Sequence, residues 1–528
     1  MIPGAAIFVG APLAAALLVY LARAWRLAAV PLTMLAVLGL IGTLVVLPYQ
    51  PTGRFLGIGL DPAGPIVVLG RSLTLEADDR AALLFLYLAS FFLIGAGLAV
   101  RVPRLFAPAA LASLGMLAAA LFVQPFVFAT AFLEAAAILA VLMLTDARPD
   151  EAAPGAARPT PRGALRFLVF VTFSLPFILL TGWLLELSAG SPEDVSLLVR
   201  ATQLLTAGFA VLLAVVPFHS WIPSVAQEAS PPAAAFVFTV VQAAIVFLML
   251  ENLNQFDWLR SNQDVYALMR LAGVVMVGLG GAFAFAQRSF GRLMGYAVVA
   301  DYGAMLLAIG HGSADGLRVG LVLIGLRGVA LAVWGIGMAA MRAARPGATD
   351  DDFEHMRGLA REKPLAVAAV VLGGLSLVGF PLTAGFTGRW ALWRLLSADY
   401  QTASFIVLLA AVAVSLGYAR GLALLVQRGQ PAAEAVVATS RAVESERLKI
   451  PRSPSRAAPE LEPVEAEGQE LEAELAESEG FETSRVGVLL GIGLNGVGLT
   501  VVLALGMFPQ WLLPALAKAA EAFIARAG

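Results

Sequence analysis

Glu134 sits in the middle of an apolar run, Phe132-Leu133-Glu134-Ala135-Ala136. A carboxyl group surrounded by hydrocarbon is costly unless it is paired, hydrated or protonated. Burial favours the neutral form of an acid, so such a group can take up and release protons near neutral pH. The plainer alternative is a protonated Glu134 bonded to a neighbouring carbonyl. His219 lies in Val216-Pro217-Phe218-His219-Ser220-Trp221-Ile222-Pro223. Imidazole has the side-chain pKa nearest neutrality, which suits a proton carrier; equally, His219 can cap a helix end. Gln242 in Val240-Val241-Gln242-Ala243 and Asp301 in Ala300-Asp301-Tyr302-Gly303 complete the candidate proton-transfer set. For both, a bond between helices is the competing role. Arg327, about eight residues into its apolar run, keeps its charge at physiological pH. It reads either as a fixed charge beside a water channel or as a prop for a carbonyl-lined kink.

These groups must be held by helices, and two of the helices are interrupted. One break is marked by Pro217 and Pro223, with the helix restarting after Pro231-Pro232; the other is marked by Gly379 and Pro381 in Val378-Gly379-Phe380-Pro381-Leu382. Proline removes a helical donor, and glycine is a poor helix former. At membrane depth, non-helical backbone is tolerated only where protein buries it or it lines a wet cavity. Discontinuous helices commonly mark transport sites in carriers.

The composition demands a bilayer. Of 528 residues, 59% are hydrophobic and 14% charged, with a mean hydropathy of +0.83. That describes an all-α polytopic membrane protein in contact with lipid. A net charge of −2 argues against nucleic acid as a partner. Cysteine is absent, which excludes disulfides, thiolate-held zinc and iron–sulfur clusters. No metal or cofactor site is expected, and redox chemistry must lie on another subunit. Gly491-Ile492-Gly493-Leu494-Asn495-Gly496 matches the dinucleotide-binding fingerprint, but it lies inside an apolar span with no strand before it. With no phosphate loop, no HExxH and no paired-carboxylate site in a soluble context, a self-contained catalytic site is not expected. Lys363, Lys449 and Lys518 are the only lysines, and each lies in a loop or near the C-terminus.

A spanning helix needs about 20 mainly apolar residues. On that measure about fourteen spans are expected, near 3–22, 28–47, 80–100, 105–123, 125–144, 164–185, 197–217, 233–252, 266–287, 291–310, 319–343, 364–388, 403–426 and 486–508. The first reads as an uncleaved span, since no basic region precedes it. Arg23, Arg26, Arg101, Arg104, Arg148, Arg158, Arg162, Arg288, Arg292, Arg342, Arg345, Arg357, Arg361 and Lys363 all follow odd-numbered spans. The positive-inside rule then puts those loops in the cytoplasm and both termini outside. The breaks fall in spans 7 and 12, and an odd separation inverts one relative to the other. This predicts two inverted five-helix repeats. The expected units are helices 1–3 (1–104), a first repeat (105–252), a second repeat (266–426), a charged loop (427–485), and helix 14 with an interfacial C-terminal helix (486–528). The 427–485 loop reads as a disordered linker or a docking segment, acidic from Glu460 to Glu482.

Pro217-Phe-His-Ser-Trp-Ile-Pro223 and Glu228-Ala229-Ser230-Pro231-Pro232 resemble the PFHxWLPD…APTP signature of antiporter-like membrane subunits. Arg288 followed by Arg292-Leu293-Met294-Gly295-Tyr296 resembles the family's KRxLAYSS segment. Gly379-Phe-Pro381 through Gly385-Phe386-Thr-Gly388-Arg389 resembles GxPxxxGFxxK. The family comprises the large membrane subunits of NADH–quinone oxidoreductase, respiratory complex I, and those of multisubunit cation/proton antiporters. The resemblance covers spans 4–13. It implies conduction by a span-5 glutamate and a midplane row of lysines and histidines. Glu134 matches the glutamate. Leu212, seven residues before His219, stands at the span-7 lysine position, and Gln242 stands at the span-8 lysine or histidine position. Arg327 and Arg389 occupy the span-11 and span-12 positions, and Gly291 replaces the lysine before Arg292. Arg327, Arg389 and Arg292 are therefore expected to supply fixed channel charge.

The resemblance implies a bacterial inner-membrane subunit that helps translocate protons beside other membrane subunits of a respiratory complex. Quinone would be only an indirect partner. Two alternatives stay open: a non-conducting structural subunit of the same complex, and a subunit of a cation/proton antiporter or bicarbonate-accumulating complex. The missing lysines favour the structural role; Glu134, His219 and the breaks favour conduction.

Overall fold

The computed structural model describes residues 2–46 except 25, most of 54–145, 161–345 except 192, 351–427, 485–508, 510 and 514. In the stretch 54–145 the gaps are 56–57, 62–63, 69, 77–78, 99 and 101. The charged loop at 428–484 and nearly all of the expected C-terminal interfacial helix lie outside the described residues.

Helices dominate. The N-terminal part holds α1 (Gly4–Leu21), α2 (Arg26–Val46), α3 (Asp79–Gly95), α4 (Phe106–Phe122), α5 (Ala129–Thr145) and α6 (Arg162–Gly190). Next come α7 (Val195–Leu212), α8 (Trp221–Glu228) and α9 (Pro231–Phe236). A π-helical turn, Val237–Val241, carries α9 into α10 (Gln242–Gln255). After the short α11 (Asp257–Arg260) follow α12 (Gln263–Ala286), α13 (Phe290–Ile309) and α14 (Ala314–Ala344). The short α15 (Leu359–Glu362) precedes α16 (Pro364–Leu377), α17 (Gly385–Asp399) and α18 (Gln401–Val426), and α19 spans Arg485–Met507.

Among the described residues, 11 helices are long and apolar enough to cross a membrane. Phe106–Phe122, Pro364–Leu377 and Ile492–Met507 are shorter apolar helices at three further expected spans. The chain is a multi-span membrane protein. The fingerprint-like glycines 491–496 are helical, inside α19.

The all-α expectation needs one amendment. The segment between α2 and α3 contributes short strands to two three-stranded sheets, ordered β1-β3-β2 and β4-β5-β6. Parallel β1 (Ile2–Pro3) and antiparallel β2 (Arg54–Phe55) flank β3 (Ile58–Asp61). Antiparallel β4 (Ile66–Val68) and β6 (Val123–Gln124) flank β5 (Arg71–Leu73). β-Branched residues at Ile66, Val67 and Val68 suit a pleated surface, and Gly70, at φ 76°, turns the hairpin.

The bundle centres on Pro231–Gln255, buried from Pro231 to Leu250. A helix that is apolar all round belongs in the interior. Small residues set the close approaches around it. A Cβ at Gly280 would lie 2.6 Å from the Ala300 nitrogen, and one at Gly273 would lie 2.6 Å from the Gly303 oxygen. This presses α12 against one face of α13, as small residues do in lipid-embedded bundles.

Both interrupted helices end the same way. In α7, the Ala214 N–H donates to the Val211 carbonyl (3.1 Å) and the Val215 N–H to the Ala210 carbonyl (2.9 Å), with Ala214 at φ 54°. In α16, the Gly379 N–H donates to the Ser376 carbonyl (3.1 Å) and the Phe380 N–H to the Leu375 carbonyl (2.9 Å), with Gly379 at φ 78°. This paired pattern around a left-handed residue is a Schellman cap. Pro217 and Pro381 fall in the irregular segments beyond these caps. Pro223, read from the sequence as a break residue, instead sits in the first turn of α8, where a missing N–H costs nothing.

Gly385 starts the second half of the α16–α17 pair. A Cβ there would overlap the Ser376 carbonyl oxygen. Gly385→Ala should therefore lower stability by about 1–3 kcal/mol through overpacking. Gly10→Ala, where a Cβ meets nothing within 4 Å, is the control. Thermal unfolding in detergent measures both; equal midpoints would show that the two half-helices are not held in this close approach.

Candidate functional site

α13, α14, α16 and α17 converge on an ionic cluster inside the bundle. The Arg327 Nε donates to Asp301 Oδ2 at 2.5 Å, and the Arg389 Nη2 donates to Asp301 Oδ1 at 2.5 Å. The Asp301 residue is 2% exposed and Arg327 1%. Arg389 also donates to the Leu377 carbonyl, from Nη2 at 2.9 Å and Nε at 3.3 Å. Leu377 is the last residue of α16, so its carbonyl has no partner in its own helix. Gly379 makes this reach possible, because a Cβ there would strike the Arg389 Cβ and Cγ. Gly388 lets α17 approach Leu323 and Leu326 of α14. The Arg327 guanidinium lies 4.4 Å from the centre of the Tyr302 ring, and the Tyr302 hydroxyl donates to the Phe238 carbonyl at 2.9 Å. That last bond ties the cluster to the π-helical turn before Gln242.

The first break has a neutral counterpart. Gln242 Nε2 donates to the Leu212 carbonyl at 3.3 Å, and Leu212 is the last residue of α7. Leu212 itself is 3% exposed. Gln242 and Arg389 thus do the same job at the two breaks, one with an amide and one with a guanidinium.

The other sequence candidates sit apart from these contacts. Glu134 is half-buried on α5; its Oε1 accepts from the Thr172 hydroxyl at 2.6 Å, while its buried Oε2 has no partner among the described residues. Thr172 lies on an exposed face of α6. His219 lies in the turn Phe218–Ser220, 6.4 Å from the Tyr296 ring centre to centre, with its Nδ1 buried. Arg292, expected as channel charge, is exposed at the start of α13 and bonds to Gln227. It is therefore at an end of the bundle, remote in character from the buried cluster.

Sequence reasoning missed three contributors. Thr172 and Tyr302 are ordinary residues in apolar helices, with no local signal for their roles. Arg342, at the end of α14, was counted only as an orienting charge. Its side chain donates to Asp351 Oδ1 (2.8 Å) and to the carbonyls of Ala229 (2.6 Å), Gln227 (2.8 Å) and Ala226 (3.1 Å). It thereby caps α8, the second half of the interrupted helix. Only the run of five basic residues from Arg342 to Lys363 hinted at a structural role.

Residues 199–416 match the family described as NADH:quinone oxidoreductase/Mrp antiporter, TM. The match is to that family's transmembrane region and covers less than half of this chain. Both breaks and Gln242, Asp301, Arg327 and Arg389 lie within the match; Glu134 lies before it. Subunit N of the NADH-quinone oxidoreductase of Deinococcus radiodurans is 29% identical over 263 residues, 49% of this chain and 52% of that protein. Subunit 14 of the Thermus thermophilus enzyme is 30% identical over 264 residues, 50% of this chain and 57% of that one. The chain thus spans about half the length of the curated relatives it matches.

The fold is shared more widely. A chain of the Mrp complex from Dietzia superposes with a TM-score of 0.69 at 16% identity, covering 98% of this chain and 96% of that one. A chain of NADH-bound respiratory complex I from Thermus thermophilus gives 0.65 at 20%, covering 99% and 100%. Both neighbours belong to multisubunit membrane complexes.

Removing one partner from a buried ion pair costs about 3–5 kcal/mol. Asp301→Asn should therefore depress the unfolding midpoint in detergent far more than Gln242→Ala, which leaves one carbonyl unmet at about 1–3 kcal/mol. The reverse order of the two midpoints would remove Asp301 as the centre of the cluster.

Proposed function

We propose that this chain is the antiporter-like subunit of a complex I-like NADH–quinone oxidoreductase, and that it translocates protons with a lysine-poor axis. The observation that carries the reading is the pair of helix breaks at membrane depth. At each, the final helical carbonyl is held by a side chain at a position of the family's axis: Gln242 where the resemblance implies a lysine or histidine, and Arg389 where it implies a lysine or glutamate. Proton exchange falls to Glu134, His219 and Asp301, because arginine keeps its proton. Arg327 and Arg389 supply fixed charge that biases Asp301. Gln242 orients the first break and can relay a proton through water.

In this reading, α4–α10 and α12–α18 are the two inverted five-helix repeats, the arginine-rich loops are cytoplasmic, and the chain sits in a bacterial inner membrane beside other membrane subunits. Quinone reduction takes place on another subunit, and its effect reaches this chain through protein contacts.

A second reading is a non-conducting structural subunit of the same assembly. It is favoured by the apolar surroundings of Leu212, which replace the expected amine. The Mrp-like fold also suits a cation/proton antiporter or a bicarbonate-accumulating complex.

Glu134→Gln separates the first two. In proteoliposomes holding the assembled complex, conduction predicts a clear fall in proton pumping with unchanged subunit content. Pumping at the wild-type rate would favour the structural role.

A further inference from the structure

A polar pocket of about 310 Å³ lies where α12 turns into α13. Gln227, Gln287, Arg288, Ser289, Arg292 and Asp352 line it. Its walls are fixed by backbone bonds: the Phe290 N–H donates to the Asp351 carbonyl (3.0 Å), and the Phe353 N–H donates to the Arg288 carbonyl (2.8 Å). The cavity is therefore preformed. Arg288 is exposed and has no side-chain partner among the described residues. Arg292 is held toward Gln227 at the end of α8. Arg420 of α18 donates to the Phe285 and Gln287 carbonyls behind the pocket. Asp352 is the one acid in the lining, so the site is net positive.

Location selects the ligand. Both α12 and α13 are spanning helices, so their connecting turn lies at the edge of the hydrocarbon layer. Phe283 and Phe285, on the last turn of α12, are 42% and 43% exposed. A molecule entering here meets two guanidiniums and two partly exposed rings, Phe283 packed on Tyr296 and Phe285 under the Arg420 guanidinium. Guanidinium binds phosphate oxygens through paired charge-assisted hydrogen bonds. Basic pockets between spanning helices suit anionic headgroups.

We propose that this pocket is a binding site for the phosphate group of an anionic phospholipid, with Arg288 and Arg292 on the phosphate and the acyl chains against Phe283 and Phe285. The bound lipid bridges the end of α8 to the α12–α13 turn, and so fastens the second half of the interrupted helix from outside the protein.

The test uses the full chain in nanodiscs of phosphatidylcholine containing a minor fraction of phosphatidylglycerol. Native mass spectrometry counts the phosphatidylglycerol retained per chain. Losing one arginine contact weakens retention about fivefold, so Arg288→Gln should show that loss, and Arg288→Gln with Arg292→Gln a larger one. Arg288→Lys, which keeps the charge and loses the paired bonds, should fall between the native chain and Arg288→Gln. Arg318→Gln, an exposed arginine at the other end of α14, should change nothing. Inorganic phosphate at matched concentration should not displace the lipid, because it lacks the chains. Should the double variant fail to fold, Arg288→Gln alone carries the test. Equal retention by Arg288→Gln and the native chain, an equal loss in Arg318→Gln, or full displacement by inorganic phosphate would each overturn the proposal.

Discussion

A carbonyl that ends a helix inside a membrane has no bulk water to turn to, and the architecture around both breaks follows from that constraint. Helix ends leave several carbonyls unmet, and in hydrocarbon each must be satisfied from within the protein. The Schellman caps at Ala214 and Gly379 dispose of two carbonyls at each break. The last helical carbonyl, on Leu212 and on Leu377, is left for a side chain from elsewhere. Gln242 and Arg389 supply it. The glycines at 379 and 385 are there because the half-helices and the capping side chain must pass within contact distance.

The choice of capping group has different consequences in the two halves. An amide is neutral, and Gln242 needs no counter-ion. A guanidinium brings a charge into the interior, and an uncompensated buried charge is among the costliest features a fold can carry. Asp301 answers it. A carboxylate has two oxygens, and the second accepts from Arg327. One charged cap thus grows into a three-residue cluster that binds α13, α14 and α17 to the end of α16. Among the described residues of the first half no such cluster forms, and Glu134 stands apart against the exposed face of α6.

Local features of this arrangement were legible in the sequence, and pairings were not. Both interruptions could be read, because proline and glycine act on backbone within a few residues. Pro223 misled, since proline is harmless in a first turn and its effect depends on where the helix restarts. Glu134, Asp301 and Arg327 stood out as ionisable groups in apolar runs, but nothing local joins Asp301 to residues 26 and 88 positions away. Packing, which the local sequence does not record, makes Asp301 the hub. Arg292 reads as channel charge by its place in a motif, and the structure puts it exposed at the start of α13. The small sheets were hidden by short strands of two to four residues, below the length at which alternation can be seen.

α14 links the two breaks. In its middle, Arg327 holds Asp301, and through it the arginine that caps α16. At its end, Arg342 gathers the terminal carbonyls of α8 and pairs with Asp351. The helix is continuous over 31 residues with no proline inside, so it is stiff along its axis. Any change in charge at Asp301 alters the pull on Arg327, and a shift of α14 along its axis acts on α8 through Arg342. Contiguous packed elements of this kind can carry coupling between distant sites when one of them has two arrangements. On the proposed proton-translocating reading, a proton reaching the ionic cluster would act on the first break through the packed series Asp301, Arg327, α14 and Arg342.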